Sequence, residues 1–206
     1  MSKAVLYSIR PEYCKLILDG KKTVEVRKSI PKLEVPFKCY IYCTYGFGLI
    51  EYKDEVLPNH LLSQKVSANK KWDNCCNGKV IGEFTCDVIY QYSTGNIEGI
   101  NISEEDMKAM SCLTRQELID YEFSSSPKDF CMYRVGLYGL HISDLVIYDK
   151  PKKLNEFTKT GVLSYEDWLY ALYNGNSESS YEKYLMPFKV TKPPQSWYYV
   201  EELSGA

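Results

Sequence analysis

Hydrophobic residues in this chain come in short runs separated by polar breaks, and the runs have two different periods. Ala4–Ile9 (AVLYSI) is a compact apolar run of strand length. Pro11 follows where the first turn of a helix accepts proline. From Glu12 to Asp19 the apolar residues Tyr13, Leu16 and Ile17, with Cys14 and Leu18 beside them, fall at helical spacing and leave one face to bury. Gly20 is the natural stop for that helix. Thr23–Arg27 then alternates polar and apolar, which is strand period. Phe37–Thr44 (FKCYIYCT) is a stronger strand, rich in aromatic and β-branched residues, and Gly46 and Gly48 end it. Pro58–Ser63 reads as a short helix. Lys79–Tyr90 (KVIGEFTCDVIY) gives the longest strand signal, with Gly82 predicting a bulge or sharp bend inside it.

Residues 93–128 have another character. After a stretch of Ser, Thr, Gly and Asn, one helix is predicted from Ser103, with Glu104, Glu105 and Asp106 in its first turn where the dipole favours acids. A second starts at Thr114, and Glu117 completes a capping box. Ser124–Pro127 reads as a loop. Phe130–Tyr138 and His141–Tyr148 are predicted strands flanking Gly139, the second ended by Pro151. Ser164–Tyr173 is a predicted helix with Ser164 as N-cap, Asn174–Ser180 a polar loop, and Trp197–Leu203 a closing strand. Strands and helices do not alternate regularly, so a Rossmann-type sheet is disfavoured. The expected class is mixed α/β (α+β), a mostly antiparallel β-barrel with peripheral helices. With 206 residues and no clean boundary, the chain reads as one domain over residues 1–206, carrying a helical insertion at 93–128 and a C-terminal extension at 152–206.

Composition adjusts this picture in three places. The 19 tyrosines favour half-buried strand faces and stacking surfaces. The net charge of −2 argues against coating nucleic acid by bulk charge, yet residues 1–40 hold nine Lys/Arg against four acids, so that segment is locally basic. The eight cysteines (Cys14, Cys39, Cys43, Cys75, Cys76, Cys86, Cys112, Cys131) include no CxxC, and the only histidines are His60 and His141. A structural zinc needs about four suitably spaced soft ligands, so reduced, mostly buried thiols are expected and no metal. No apolar run is long enough to predict a transmembrane helix, and an intracellular, cytoplasmic protein is the expectation.

The candidate chemistry gathers around Gly20–Arg27 (GKKTVEVR). On a strand, Thr23, Glu25 and Arg27 share one face while Val24 and Val26 share the other, with Lys21 and Lys22 at the turn leading in. Arg27 suits two parallel hydrogen bonds to a phosphate or carboxylate. Glu25 can accept from a base amino group or pair with Arg27, and Lys22 can contact a phosphate. Charges alternating on a strand also form plain cross-strand pairs with no further role. Arg10 is a further phosphate contact in prospect. His141, at the head of HISDL, is a candidate general base or a hydrogen-bonded structural residue. Trp72, after Lys70 and Lys71, suits a stacking surface, whereas Trp168 and Trp197 suit packing.

The run SIRPEYCKLILDGKKTVEVRKSIPK (Ser8–Lys32) resembles the start of ASCH domains, whose signature is a helix followed by G-x-K-T-x-E-x-R. Gly20, Lys22, Thr23, Glu25 and Arg27 all stand in place. GKVIGEF (Gly78–Phe84), YGLHISDLVIYDKP (Tyr138–Pro151) and PPQSWYYVEEL (Pro193–Leu203) look like the same family, in the same order. The resemblance implies a bacterial or prophage-type ASCH member with a PUA-like β-barrel and a cleft around the signature strand. Family roles include RNA binding and coactivation, and some bacterial members hydrolyse acetylcytidine or cut RNA. Against the acetylcytidine hydrolases, Lys22 and Arg27 match their lysine and arginine. Their nucleophilic threonine falls where Glu25 stands, and Thr23 occupies a different step of the strand. A carboxylate does not replace an alcohol in that covalent step.

Three functions follow as expectations. The first is a module binding RNA or a nucleotide through Lys22, Thr23, Glu25 and Arg27, assisted by Arg10, Lys21 and His141. The second is a small hydrolase, an amidohydrolase or nuclease, with Lys22 and Glu25 as its catalytic pair. The third is a protein-interaction domain using residues 93–128, with the cleft vestigial. No cofactor and no membrane partner is implied.

Overall fold

The structure is a computed structural model, and it describes residues 2–46, 76–95, 99–124, 136–160 and 189–203. The expected helices at Pro58–Ser63 and Ser164–Tyr173, with Trp72 and Trp168, lie outside the described residues. Along the chain run β1 (Lys3–Ile9), α1 (Pro11–Leu18), β2 (Val24–Arg27), β3 (Phe37–Cys43), β4 (Lys79–Cys86), β5 (Ile89–Tyr92), α2 (Glu104–Ser111), α3 (Arg115–Phe123), β6 (Leu137–His141), β7 (Ser143–Lys152) and β8 (Trp197–Glu201). The class is mixed α/β with two mostly antiparallel sheets. One has the order β7-β4-β3-β1-β8 and the other β2-β6-β5. Among the described residues no helix is long and apolar enough to cross a membrane.

The chain forms two compact units. The first holds Met1–Pro11, Lys38–Gly82 and Tyr148–Ala206. Its core stacks Ala4, Leu6, Tyr40, Tyr42, Val80, Tyr148, Phe157, Val190 and Val200, with Tyr40 and Phe157 edge to face at 4.9 Å. β1 pairs with β3 in parallel and with β8 antiparallel. Val5, Tyr7, Cys39 and Ile41, on the other face of the same strands, are also fully buried. Burial on both faces is why Ala4–Ile9 and Phe37–Thr44 read as near-continuous apolar runs rather than alternating ones.

The expected barrel is present only as two sheets. No continuous ladder closes a ring among the described residues. The chain beyond β7 comes nearest to doing so. It passes a single 3₁₀ turn at Leu154–Glu156 and then meets the outer edge of β8, where Thr160 N–H donates to Tyr199 and Glu201 N–H to Thr158. One bridged residue pair, Lys159 with Val200, replaces a ladder there.

The second unit holds Glu12–Phe37 and Glu83–Ile147. In its sheet, β2 and β5 each pair antiparallel with β6. One face carries Val24, Val26, Leu137 and Tyr92, and Met107 of α2 and Leu118 of α3 pack on it to make the core. Both helix starts follow from the sequence. Ser103 accepts from the N–H of Asp106, and Thr114 forms the full capping box with Glu117.

Three boundaries differ from the sequence expectation. Lys79–Tyr90 is two strands, and the break falls at Asp87–Val88 instead of at Gly82. There Asp87 turns its carboxylate to His141 and the Cys86 thiol donates to Val88. Gly139 lies inside β6 rather than between strands. A Cβ there would stand 2.8 Å from Val24 Cγ1 and 3.0 Å from Met107 Cε, so its small size serves the packing of α2. β7 continues through Pro151, which an edge strand tolerates because its outward N–H is not needed.

Candidate functional site

The turn into β2 is built by the end of α1. Gly20 has φ +67° and donates to Ile17, while Lys21 donates to Leu16. This is a Schellman closure, which requires the left-handed residue that glycine supplies at least cost. It delivers Lys21 to solvent and Lys22 to the interior. Thr23 is then tied at both ends of its peptide unit, its N–H to the carbonyl of Met110 and its own carbonyl to the N–H of Ile142.

Lys22, Glu25 and Arg27 are all buried, at 3%, 6% and 6% exposure. Arg27 Nη2 lies 2.8 Å from Glu25 Oε1, and Lys22 Nζ lies 3.5 Å from Glu25 Oε2. Lys22 Nζ also donates to the backbone carbonyl of Ser111 at 2.9 Å and sits 5.1 Å from the centre of the Tyr13 ring. An ammonium has three N–H bonds, and here each has a direction to point. Ser111 is the last residue of α2, where helix carbonyls lack intrahelical partners and carry partial negative charge. Lys22 is therefore an anchor that fixes Glu25 and caps α2. Among the described residues, Glu25 is thus the carboxylate that both Lys22 and Arg27 face.

Strand register divides the other expected residues. Across β2–β6, Glu25 faces Leu140 and Arg27 faces Tyr138, whereas Val24 faces His141. Opposed residues of an antiparallel pair share a face, so His141 lies on the valine face, away from Glu25 and Arg27. Its Nδ1 is 2.7 Å from Asp87 Oδ1, and its ring meets Tyr90 edge on at 6.4 Å. Hydrogen bonding from His141 is the main cause that holds the Asp87 carboxyl below its ordinary range. Lys21 is exposed and faces Asp19 at 3.9 Å. Arg10 is exposed and belongs to the first unit. Thr23 is half-buried.

Reading the sequence missed Tyr13, Ser111, Asp87 and Tyr138. Ser111 acts through its carbonyl, which no side-chain pattern announces. Asp87 did leave a signal, being an acid set between the apolar or thiol-bearing Cys86 and Val88–Ile89 within the run of Lys79–Tyr90. Among the described residues no group of three or more His, Cys, Asp or Glu side chains is placed to hold a metal ion.

A mixed α/β fold carrying a buried ion cluster on a short strand is the class these features define. Neither a protein-family model nor a curated protein sequence matches the chain. Its structure matches that of ASCH from Zymomonas mobilis at 17% identity and a TM-score of 0.47, over 97% of this chain and 88% of that one. Two variants of the same protein match also, each at 17% identity. A tyrosine-to-phenylalanine variant gives a TM-score of 0.45 over 98% of this chain and 92% of its own. A serine-to-alanine variant gives 0.43 over 97% and 89%.

Proposed function

We propose that the chain is a single ASCH/PUA-like domain that binds RNA or a nucleotide at the Lys22–Glu25–Arg27 cluster. The observation that carries this reading is the arrangement of the cluster, in which Glu25 lies between Lys22 and Arg27 on one buried face of β2. A guanidinium held in place by a carboxylate is pre-organised for recognition, and Arg27 is the member suited to take a phosphate or an electron-rich base edge by paired hydrogen bonds. The in-place signature residues Gly20, Lys22, Thr23, Glu25 and Arg27 support the same reading.

Within this proposal the roles separate. Lys22 orients Glu25, Glu25 orients Arg27, and Arg27 meets the ligand. Lys21 and Arg10, both exposed, add long-range attraction for a polyanion. The hydrolytic alternative draws less support, because both oxygens of Glu25 already face cations and Lys22 is committed to Ser111.

The test is binding of single-stranded RNA at low salt. Wild type is expected to bind, and Arg27→Ala to weaken binding and reduce the salt dependence by about one phosphate contact. Lys21→Ala, at an exposed position, is expected to weaken it less. Absence of binding by folded wild type to any RNA or nucleotide would sink the proposal.

A further inference from the structure

The face of the three-stranded sheet that carries Glu25 and Arg27 continues across β6 and β5. Register sets Arg27 opposite Tyr138, and Tyr138 opposite Gln91. The three side chains therefore stand in one row on one face, spanning roughly 10 Å from first to last at the usual strand spacing. The row also runs from inside to outside: Arg27 is buried, Tyr138 half-buried and Gln91 exposed. The neighbouring row, Glu25, Leu140 and Ile89, is buried at its first two positions and half-buried at the third.

Gln91 is fixed more firmly than its exposure suggests. Its N–H donates to Asn101 Oδ1 at 2.7 Å, and its carbonyl accepts from the N–H of Asn101 at 3.2 Å. Its amide oxygen lies 2.9 Å from where a Cβ on Gly99 would stand, so the glycine keeps open the space that the amide occupies.

We infer that the Arg27–Tyr138–Gln91 row is a base-recognition strip, in which a nucleobase stacks on Tyr138, Gln91 reads its hydrogen-bonding edge and Arg27 holds the attached phosphate. A guanidinium, an aromatic ring and a carboxamide at successive strand steps offer, in order, a phosphate contact, a stacking face and a hydrogen-bonding edge for the base. Aromatic stacking accepts any base, whereas a carboxamide offers one acceptor and two donors and therefore discriminates among them. The opposite face of the same sheet cannot serve, because Met107 and Leu118 cover its valines. This inference rests on the nucleotide-binding reading above and assigns that site its ligand class and its specificity residues.

The experiment is titration of the full chain with the four nucleoside 5′-monophosphates and, separately, with a short single-stranded RNA of mixed sequence. Tyr138→Phe keeps the ring and is expected to bind as wild type does. Tyr138→Leu keeps bulk without a π-face and is expected to lose about tenfold or more in affinity for both kinds of probe. Gln91→Ala, at an exposed position, is expected to level the preferences among the four bases while phosphate-dependent binding persists. Should Tyr138→Leu fail to fold, Gln91→Ala decides alone. If Arg27→Ala abolishes binding while Tyr138→Leu and Gln91→Ala match wild type in affinity and base preference, the strip is refuted and the nucleotide reading stands. If wild type binds none of the probes, both fall together.

Discussion

Arg27 and Glu25, two residues apart on β2, face each other at 2.8 Å with both side chains less than one-tenth exposed. Their pairing is local, yet the pair is desolvated as fully as a core contact. Removing one partner from such a pair leaves an uncompensated buried charge, which costs about 3–5 kcal/mol. Glu25→Ala is therefore expected to lower stability on that scale, because it removes the buried carboxylate that both Lys22 and Arg27 face. Replacing both residues, as in Glu25→Leu with Arg27→Met, is expected to cost less than the two single changes combined. Urea unfolding midpoints of the three variants check this, and additivity of the single effects would contradict it.

Gly139 is expected to resist even one methyl group. Its Cβ position lies 2.8 Å from Val24 Cγ1 and 3.0 Å from Met107 Cε, and Val24 is fully buried on a paired strand with little freedom to move. Gly139→Ala should cost about 1–3 kcal/mol by overpacking. Adding Met107→Ala frees part of that space, so the double variant should lose less than the two single losses would sum to. Thermal unfolding of the single and double variants measures the coupling.

Acid should loosen the junction between β4 and β5. The Asp87 carboxyl is held below its ordinary value of 3.8, first by its hydrogen bond with His141. A carboxyl with a lowered folded value contributes stability that is present above its unfolded value and is lost as pH falls through the folded one. The loss attached to Asp87 thus begins near pH 4 and grows below it. Because the pair is partly exposed, its contribution is about 1 kcal/mol or less. Asp87→Asn should lower stability at neutral pH by that amount and flatten the acid limb of the stability profile. A profile identical to wild type would remove the pair from the account.

Thiol reactivity should follow burial. Cys14, Cys39, Cys43, Cys76 and Cys86 are buried, and burial pushes the Cys86 thiol up to about 12. Cys112 is half-exposed at the left-handed C-cap of α2. Alkylation of the native protein at mildly alkaline pH, followed by peptide mapping, should mark Cys112 ahead of those five, which react only on unfolding. Early labelling of Cys86 would contradict the burial described for β4.

Much of this architecture is visible in the residues themselves. The helix stop at Gly20, the caps at Ser103 and Thr114 and the alternation of β2 are local features, and local chemistry decides them. The two-strand nature of Lys79–Tyr90 was hidden because both halves have strand composition. Only the partner of Asp87, 54 positions away, reveals the break. The site was legible in part. Period alone puts Val24 and Val26 on one face, toward the core, and Glu25 and Arg27 on the opposite face. That Lys22 would bond Ser111, and that His141 would fall on the valine face, depends on pairing across long stretches of chain. Spacing along the chain carries no information about that pairing. The helices of residues 93–128 read as an addition in sequence, yet they supply Met107, Leu118 and the carbonyls of Met110 and Ser111 to the unit that holds the cluster.

The alternation of β2 has a consequence for how the chain finds its fold. Both faces of the strand are buried, one among hydrocarbon and the other among charges. A slip of one residue against β6 would thrust Glu25 and Arg27 toward Met107 and Leu118 and turn the valines toward Lys22. Four residues thereby act as a register key: a shift of one step would bury two charges in hydrocarbon without their partners, and that cost weighs against the misaligned pairing.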